Sequence, residues 1–488
     1  MEISNYPSLY QINTRVRYRR FLSQVDQAVG IDSWPDNEWR GIAKQGFDWV
    51  WLLGIWQIGK AGARISRSRE AWQEGFRASL VDLSESDICS SCFAVVRYQT
   101  AEELGGDEAL ARVHKQLNQC ELRLMLDFVP NHTALDHPWV QKHPEFYIQG
   151  SAQDIEREPQ NYIALETDRG RQVFAYGRDP YFDGWPDVLQ LDYSQSAVQA
   201  AMIDELLAIA QRCDGVRCDM AMLVLPEVFE RTWGKTIEPF WPKAITAVRE
   251  RFPDFVLLAE VYWDLEWTLQ QQGFAFTYDK RLYDRLRDRV GYPVREHLGA
   301  SLDFQQKLAR FLENHDEPRA AETFPHEIHK AAAIITFLSP GLHFFHDGQL
   351  AGKSVHIPIH LCRGPDEAVD KALSECYSGL LQTLQKPVFR HGKWALVKCC
   401  PIEEGNESWE HFIVYCWQDE GKVTWIAVNY AAHSGQCRVV WQEPPINENP
   451  QQDLMSSKSP ALRVEINAEQ MLLDFPAWSY RVFTLQNR

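Results

Sequence analysis

The chain has 488 residues, of which 45% are hydrophobic and 24% charged, and its formal net charge is -17. That length predicts two or three domains, one of which a barrel can fill. A balance this acidic argues against nucleic acid as the main partner, because binding to phosphate backbones draws its affinity from Lys and Arg. No run of about 18 apolar residues offers a membrane span, so no membrane partner is expected. The first twenty residues carry Asn5, Gln11, Asn13, Arg15, Arg17, Arg19 and Arg20 where a leader would be apolar, so a cytoplasmic protein is expected. Eleven cysteines, an odd number spread from Cys89 to Cys437, do not read as a disulfide framework and are expected as mostly buried thiols. Cys89 and Cys92 have C-x-x-C spacing, but no second pair follows at zinc-site distance.

In chain order, Ser8 to Asn13 reads as a short strand and Phe47 to Gly54 as a second, the latter almost continuously apolar as a strand buried on both faces should be. A polar insert follows, through Arg64 to Arg69 and Ser84 to Asp87. Leu104, Ala109, Leu110, Val113 and Leu117 then recur at near-helical spacing and lead into the apolar strand Leu122 to Val129. The same rhythm returns with helix Ala197 to Gln211 and strand Gly215 to Cys218, then helix Ile245 to Arg251 and strand Phe255 to Glu260. Phe274 to Tyr278, Leu308 to Leu312 and Gly341 to Phe345 bring the count of strands to eight. Parallel strands joined by helical crossovers in that number close a (β/α)8 barrel. The Pro-, Gly-, Asp- and Tyr-rich stretch from about Thr133 to Val188 interrupts the rhythm after the third strand and reads as a loop-rich inserted domain. After Gln385 the pattern changes to short alternating runs, Trp394 to Cys399, His411 to Cys416, Val423 to Val428, Cys437 to Trp441, Met471 to Leu473 and Tyr480 to Leu485, which predict an all-β sandwich. The expected domains are therefore a barrel over 1–132 and 189–385, an insert over 133–188 and a β-sandwich over 386–488.

In a closed barrel, chemistry sits where the strands end. The third strand ends Asp127-Phe128-Val129-Pro130-Asn131-His132, the fourth Arg217-Cys218-Asp219, the fifth Leu258-Ala259-Glu260 and the seventh Glu313-Asn314-His315-Asp316. Each delivers a carboxylate or an imidazole to one rim. Arg217 and Asp219 lie two residues apart, hence on one face of a strand, where the cation favours an ionised carboxylate. Acids converging in this way are the equipment for cleaving an acetal, in which one carboxylate attacks carbon and another protonates the leaving oxygen.

These four stretches, in this order and at these strand ends, resemble the four signature regions of the α-amylase family, glycoside hydrolase family 13. The resemblance implies a retaining α-glycoside hydrolase acting on α-glucans or α-glucosides through a covalent glycosyl-enzyme intermediate. It makes Asp219 the nucleophile, Glu260 the general acid/base and Asp316 the third carboxylate. It also implies that His132 and His315 bond hydroxyls of the sugar being cleaved, that Arg217 orients Asp219, and that Phe93 is an aromatic platform for the same sugar, with a core phenylalanine as the alternative. Trp185-Pro186-Asp187-Val188-Leu189-Gln190-Leu191-Asp192 resembles a weaker fifth region, and its Asp187 and Asp192 read as structural.

The chain departs from the family pattern at Met220-Ala221-Met222, where typical α-amylases carry a Lys-His pair, and at Val95, Val96 and Arg97, where many exo-acting α-glucosidases place an acid. Asn131 matches a calcium ligand of some relatives, but no second ligand set accompanies it, so no cofactor or metal is expected. The partner is expected to be a carbohydrate. Transfer of the glycosyl group to another acceptor by the same three acids is the alternative activity. A non-catalytic binding barrel comes third, and a redox protein built on Cys89 and Cys92 last.

Overall fold

The computed structural model describes residues 4–25, 29–441 and 452–486. Eight parallel strands form a closed barrel: β1 (Ser8–Asn13), β2 (Trp49–Leu53), β3 (Arg123–Phe128), β4 (Gly215–Cys218), β5 (Val256–Ala259), β6 (Phe276–Tyr278), β7 (Leu308–Arg310) and β8 (Leu342–His346). β1 pairs with both β2 and β8, and this pairing closes the ring. Each strand lies within two residues of its expected span. The long helices Gly106–Gln119, Ser196–Ala210, Phe240–Arg251 and His326–Phe337 cover the barrel, and their buried apolar stripes meet strands that are themselves buried on both faces.

Two segments carry more order than their composition predicts. The insert after β2, read as polar, folds into helices Lys60–Ser68 and Glu70–Ser79. The excursion after β3, read as loop-rich, carries a four-stranded antiparallel sheet in the order His132–Ala134, Trp185–Gln190, Gly170–Gly177, Tyr162–Thr167. Its strands are edged by intermediate and exposed residues, so no clean hydrophobic alternation marks them.

The C-terminal strands form a five-stranded and a three-stranded sheet. Phe412, Val414 and Trp425 of the first share a buried core with Val439, Met471 and Leu473 of the second, as two packed sheets require. Gln452–Ser456 and Arg463–Ile466, mostly exposed and without a hydrophobic run, are strands the sequence pattern did not mark. The sandwich docks on the barrel through Trp417, whose Nε1 donates to the carbonyl of Leu338 at 2.8 Å, and Tyr415, whose hydroxyl donates to that of Ile334 at 3.0 Å. Among the described residues, no helix is long and apolar enough to cross a membrane, and all eleven cysteines are free thiols.

Candidate active site

The strand register sets two carboxylates side by side. Cys218 of β4 is paired with Ala259 of β5, so the next residues, Asp219 and Glu260, leave the barrel rim as neighbours. The ladder runs one step further, with the Asp219 amide on the Phe128 carbonyl at 2.8 Å and the Glu260 amide on the Cys218 carbonyl at 3.0 Å. Adjacent strands stand ~4.7–4.9 Å apart, so the two acids start from neighbouring backbone positions.

Arg217 lies beneath them inside the barrel, fully buried. Its guanidinium is 4.8 Å from the ring centroid of Phe93, 5.4 Å from Trp51 and 5.8 Å from Tyr278. A buried cation survives only when paired, and Arg217 is paired twice: Nη1 to Asp219 Oδ1 and Nη2 to Glu260 Oε2, each at 2.7 Å. From the sequence, Arg217 was assigned to Asp219 alone. One fork holds both carboxylates.

Glu260 has two more partners. The backbone amide of Met220 donates to its Oε2 at 2.7 Å, and the Tyr262 hydroxyl donates to its Oε1 at 2.9 Å. Met220 reaches this geometry with φ of 42°, in the left-handed region that a side chain disfavours. Such strain persists only where the surroundings over-determine it, and it clusters at functional sites.

A cavity of about 270 Å³ opens above the carboxylates. Asp219, Glu260, Asp316, His132 and Phe93 all line it, as do Met220 and Tyr262. His132 directs Nε2 to within 4.0 Å of Asp219 Oδ2 and sets its ring 5.4 Å from that of Trp185. Arg217 and His315 do not line it. His315 is buried, with Nδ1 bonded to the Gln11 side-chain amide at 2.9 Å and Nε2 3.0 Å from Asp316 Oδ2, so it meets the cavity through that carboxylate. Asp127 also stays below, accepting from Trp51 Nε1 at 3.1 Å and the Gly54 amide at 2.9 Å.

The surroundings separate the acids. Burial, reinforced by the nearby charges of Asp219 and Asp316, lifts the Glu260 carboxyl to about 7 against the pull of Arg217. Burial also raises Asp219 from its ordinary value, because it outweighs the attraction of Arg217. Asp316 goes the other way: confinement pushes it up, but the His315 ring, Arg217 and His356 together hold it down at about 2. Burial lowers His132 to about 4, so near neutrality its ring is uncharged. A carboxyl that keeps its proton close to pH 7 beside a carboxylate, Asp316, that does not is a separation that general acid catalysis can use.

Sequence reasoning passed over several cavity residues. Asp187, read as structural, lines the cavity, as do Trp72, Trp185 and His360. Trp185 and Asp187 were visible in the fifth stretch, whereas Trp72 and His360 arrive from segments with no motif. The side-chain oxygen and the carbonyl of Asn131 both accept from the Gln190 side-chain amide, at 2.9 and 3.0 Å. Among the described residues, no group of three or more His, Cys, Asp or Glu side chains could hold a metal.

Residues 96–287, which include β3, β4 and β5 and the excursion, match the family model for the α-amylase catalytic domain. Over that span the chain is similar to the α-amylase family. Its similarity to curated relatives is distant. It is 23% identical over 264 residues to the α-amylase MalA of Haloarcula japonica, a match covering 52% of this chain and 35% of that one. It is 23% identical over 295 residues to α-amylase 3 of Dictyoglomus thermophilum, covering 56% and 55%. The matched stretches thus span between about a third and about half of those relatives. The fold extends over the whole length of a solved structure, the noncanonic maltogenic α-amylase AmyB of Thermotoga neapolitana, with a TM-score of 0.70, 18% identity and 100% coverage of both chains.

Proposed function

We propose that the protein is a retaining α-glycoside hydrolase of α-glucans or α-glucosides, with Asp219 as nucleophile, Glu260 as general acid and then base, and Asp316 as the carboxylate that holds sugar hydroxyls. The observation that carries this reading is the shared fork of Arg217. Two carboxylates gripped by the terminal nitrogens of one guanidinium, on adjacent strands, are held as near neighbours. Retaining enzymes need them ~5–5.5 Å apart, whereas inverting ones leave ~6.5–9.5 Å for a water.

Asp219 attacks the anomeric carbon as Glu260 gives its proton to the leaving oxygen. The C–O bond breaks, and the sugar is left covalently on Asp219. Glu260, now a carboxylate, takes a proton from water, whose oxygen displaces Asp219 from the opposite face. His132, neutral at pH 7, and Asp316 are the groups beside the sugar, and Phe93 offers it a ring face. Met220 and Tyr262 hold the Glu260 side chain in place. The experiment that tests the reading is proton NMR of maltotriose during its first minutes with the purified protein. The α-anomer should form first. Initial β-anomer would mean inversion and would overturn the assignment of Asp219.

The same assignment sets the pH dependence. Glu260 must be protonated to act as acid, so kcat/KM should fall as pH rises through about 7. Asp219 must be ionised, and burial raises its value, which moves the acid limb up from where an ordinary aspartate would set it. On an α-glucosyl fluoride, whose leaving group needs no proton, Glu260→Gln should keep measurable activity and lose the alkaline limb. Persistence of that limb in the variant would show that another group sets it.

A further inference from the structure

Two of the segments that line the cavity come from opposite parts of the chain, through Trp72 and through Ile359 and His360. One is the insert after β2, and the other is the irregular run after β8. Arg363 joins them, with Nε on Asp87 Oδ1 at 2.8 Å and Nη1 on Asp82 Oδ2 at 3.1 Å. Ile88 and Leu361 form an antiparallel bridge, flanked by the Cys89 amide on the His360 carbonyl at 2.8 Å and the Cys362 amide on the Asp87 carbonyl at 2.9 Å. Phe76 and Leu80 pack with Ile88 and Leu361 behind it.

On the cavity side, His360 lies against Trp72, with ring centroids 4.5 Å apart, and turns Nε2 to within 3.7 Å of Asp187 Oδ2. The helix Lys60–Ser68 presses so closely here that a methyl group at Gly62 would strike the Ser90 hydroxyl and come within 3.3 Å of the Asp187 side chain. Three segments therefore meet at this end of the cavity with little space between them.

We propose that the cavity is a blind pocket that admits only the non-reducing terminal unit of an α-glucoside, and that Asp187 and His360 receive the hydroxyls at the far end of that unit. The proposal rests on the glycosidase reading above and adds the direction of attack, which is removal of units from a chain end. Asp187 is 4% exposed, yet its Oδ2 has no hydrogen-bond partner. Buried polar atoms are almost always paired, and one that is not calls for an explanation. A sugar hydroxyl donating to Oδ2 supplies it.

The ring geometry of a pyranose agrees, since C4 lies across the ring from C1. A ring with C1 at Asp219 that lay along His132 and Trp185 would bring its 4-hydroxyl to the side lined by Asp187, His360 and Trp72. A glucan continuing from that oxygen would run into the packed wall. The volume of about 270 Å³ lies just under the ~300–1,000 Å³ usual for ligand pockets, a size that suits a single sugar unit.

The test measures binding separately from turnover. Calorimetry on the Glu260→Gln protein, which keeps Arg217 paired to Asp219, would compare maltotriose with maltotriose whose terminal 4- and 6-hydroxyls are bridged by an ethylidene acetal. The bridged sugar should bind roughly 10- to 100-fold more weakly, the worth of a hydrogen bond to a charged group. Equal affinity would overturn the blind pocket even if the wild-type enzyme cleaves maltotriose. Discrimination in binding with no cleavage by the wild type would keep the pocket and remove the hydrolase reading. Binding of neither sugar would overturn both. Asp187→Ala in the same background should weaken maltotriose by a similar factor, and unchanged affinity would take Asp187 out of the proposal. If that variant does not fold, the two ligands on the Glu260→Gln protein decide the matter.

Discussion

Asp219→Ala is expected to lower kcat by roughly 10⁴-fold or more, in line with the loss of a nucleophile that acts as one unit with its partners. Every other element of the site survives the change. Glu260 keeps Arg217, the Met220 amide and Tyr262 as partners, and Asp316 keeps His315. The loss should therefore extend to substrates with excellent leaving groups, because no other group in the cavity stands where Asp219 does. That separates it from Glu260→Gln, which should be spared on such substrates. Steady-state kinetics on an α-glucosyl fluoride and on maltotriose would show the contrast. Equal losses for both variants on the fluoride would mean that the two carboxylates do not divide the work as assigned.

Arg217→Met is expected to destabilise the barrel by about 3–5 kcal/mol near neutral pH, the usual cost of leaving a buried charge without its partner. Methionine matches the length of the side chain but strands two carboxylates in place of one. The size of the deficit should depend on pH, with a definite sign. Without the guanidinium, the folded-state values of Asp219 and Glu260 rise further above their unfolded ones. Stability is then fullest at low pH, where both groups are protonated, and is lost as pH rises through those raised values. Thermal unfolding of the variant and the wild type from pH 5 to 8 should give a gap that widens with pH. A gap that did not change with pH would point to lost packing against Trp51, Phe93 and Tyr278 as the cause.

The barrel was legible in the sequence because each of its strands is a short apolar run with a local signature, and because chemistry-bearing residues stand immediately after β3, β4, β5 and near β7. Asp219 and Glu260 could be placed on one rim from strand ends alone. The second partner of Arg217 could not, because the pairing of Cys218 with Ala259 is a matter of register between strands some forty residues apart. His315 shows the same limit: the motif placed it at the rim, and only the position of Gln11 on β1 explains why its ring turns to Asp316. The wall of the cavity was the least readable part. Trp72 and His360 meet across almost the whole barrel sequence, in segments whose polar composition reads as solvent-exposed loop, and nothing local announces that Arg363 will find Asp82 and Asp87. Asp187 was in view and was read as structural, since one Asp in a strand carries no sign of whether its oxygen will find a partner.

The central claim is that a sugar becomes covalently attached to Asp219. Incubation with 5-fluoro-α-D-glucosyl fluoride, which forms the glycosyl-enzyme quickly and releases it slowly, followed by intact-mass measurement and peptide sequencing, tests it directly. One glucosyl-derived adduct, located on Asp219, absent from Asp219→Ala and suppressed by maltotriose, is the result expected. An adduct on any other residue, or turnover of the fluoride with no adduct at any time, would contradict it.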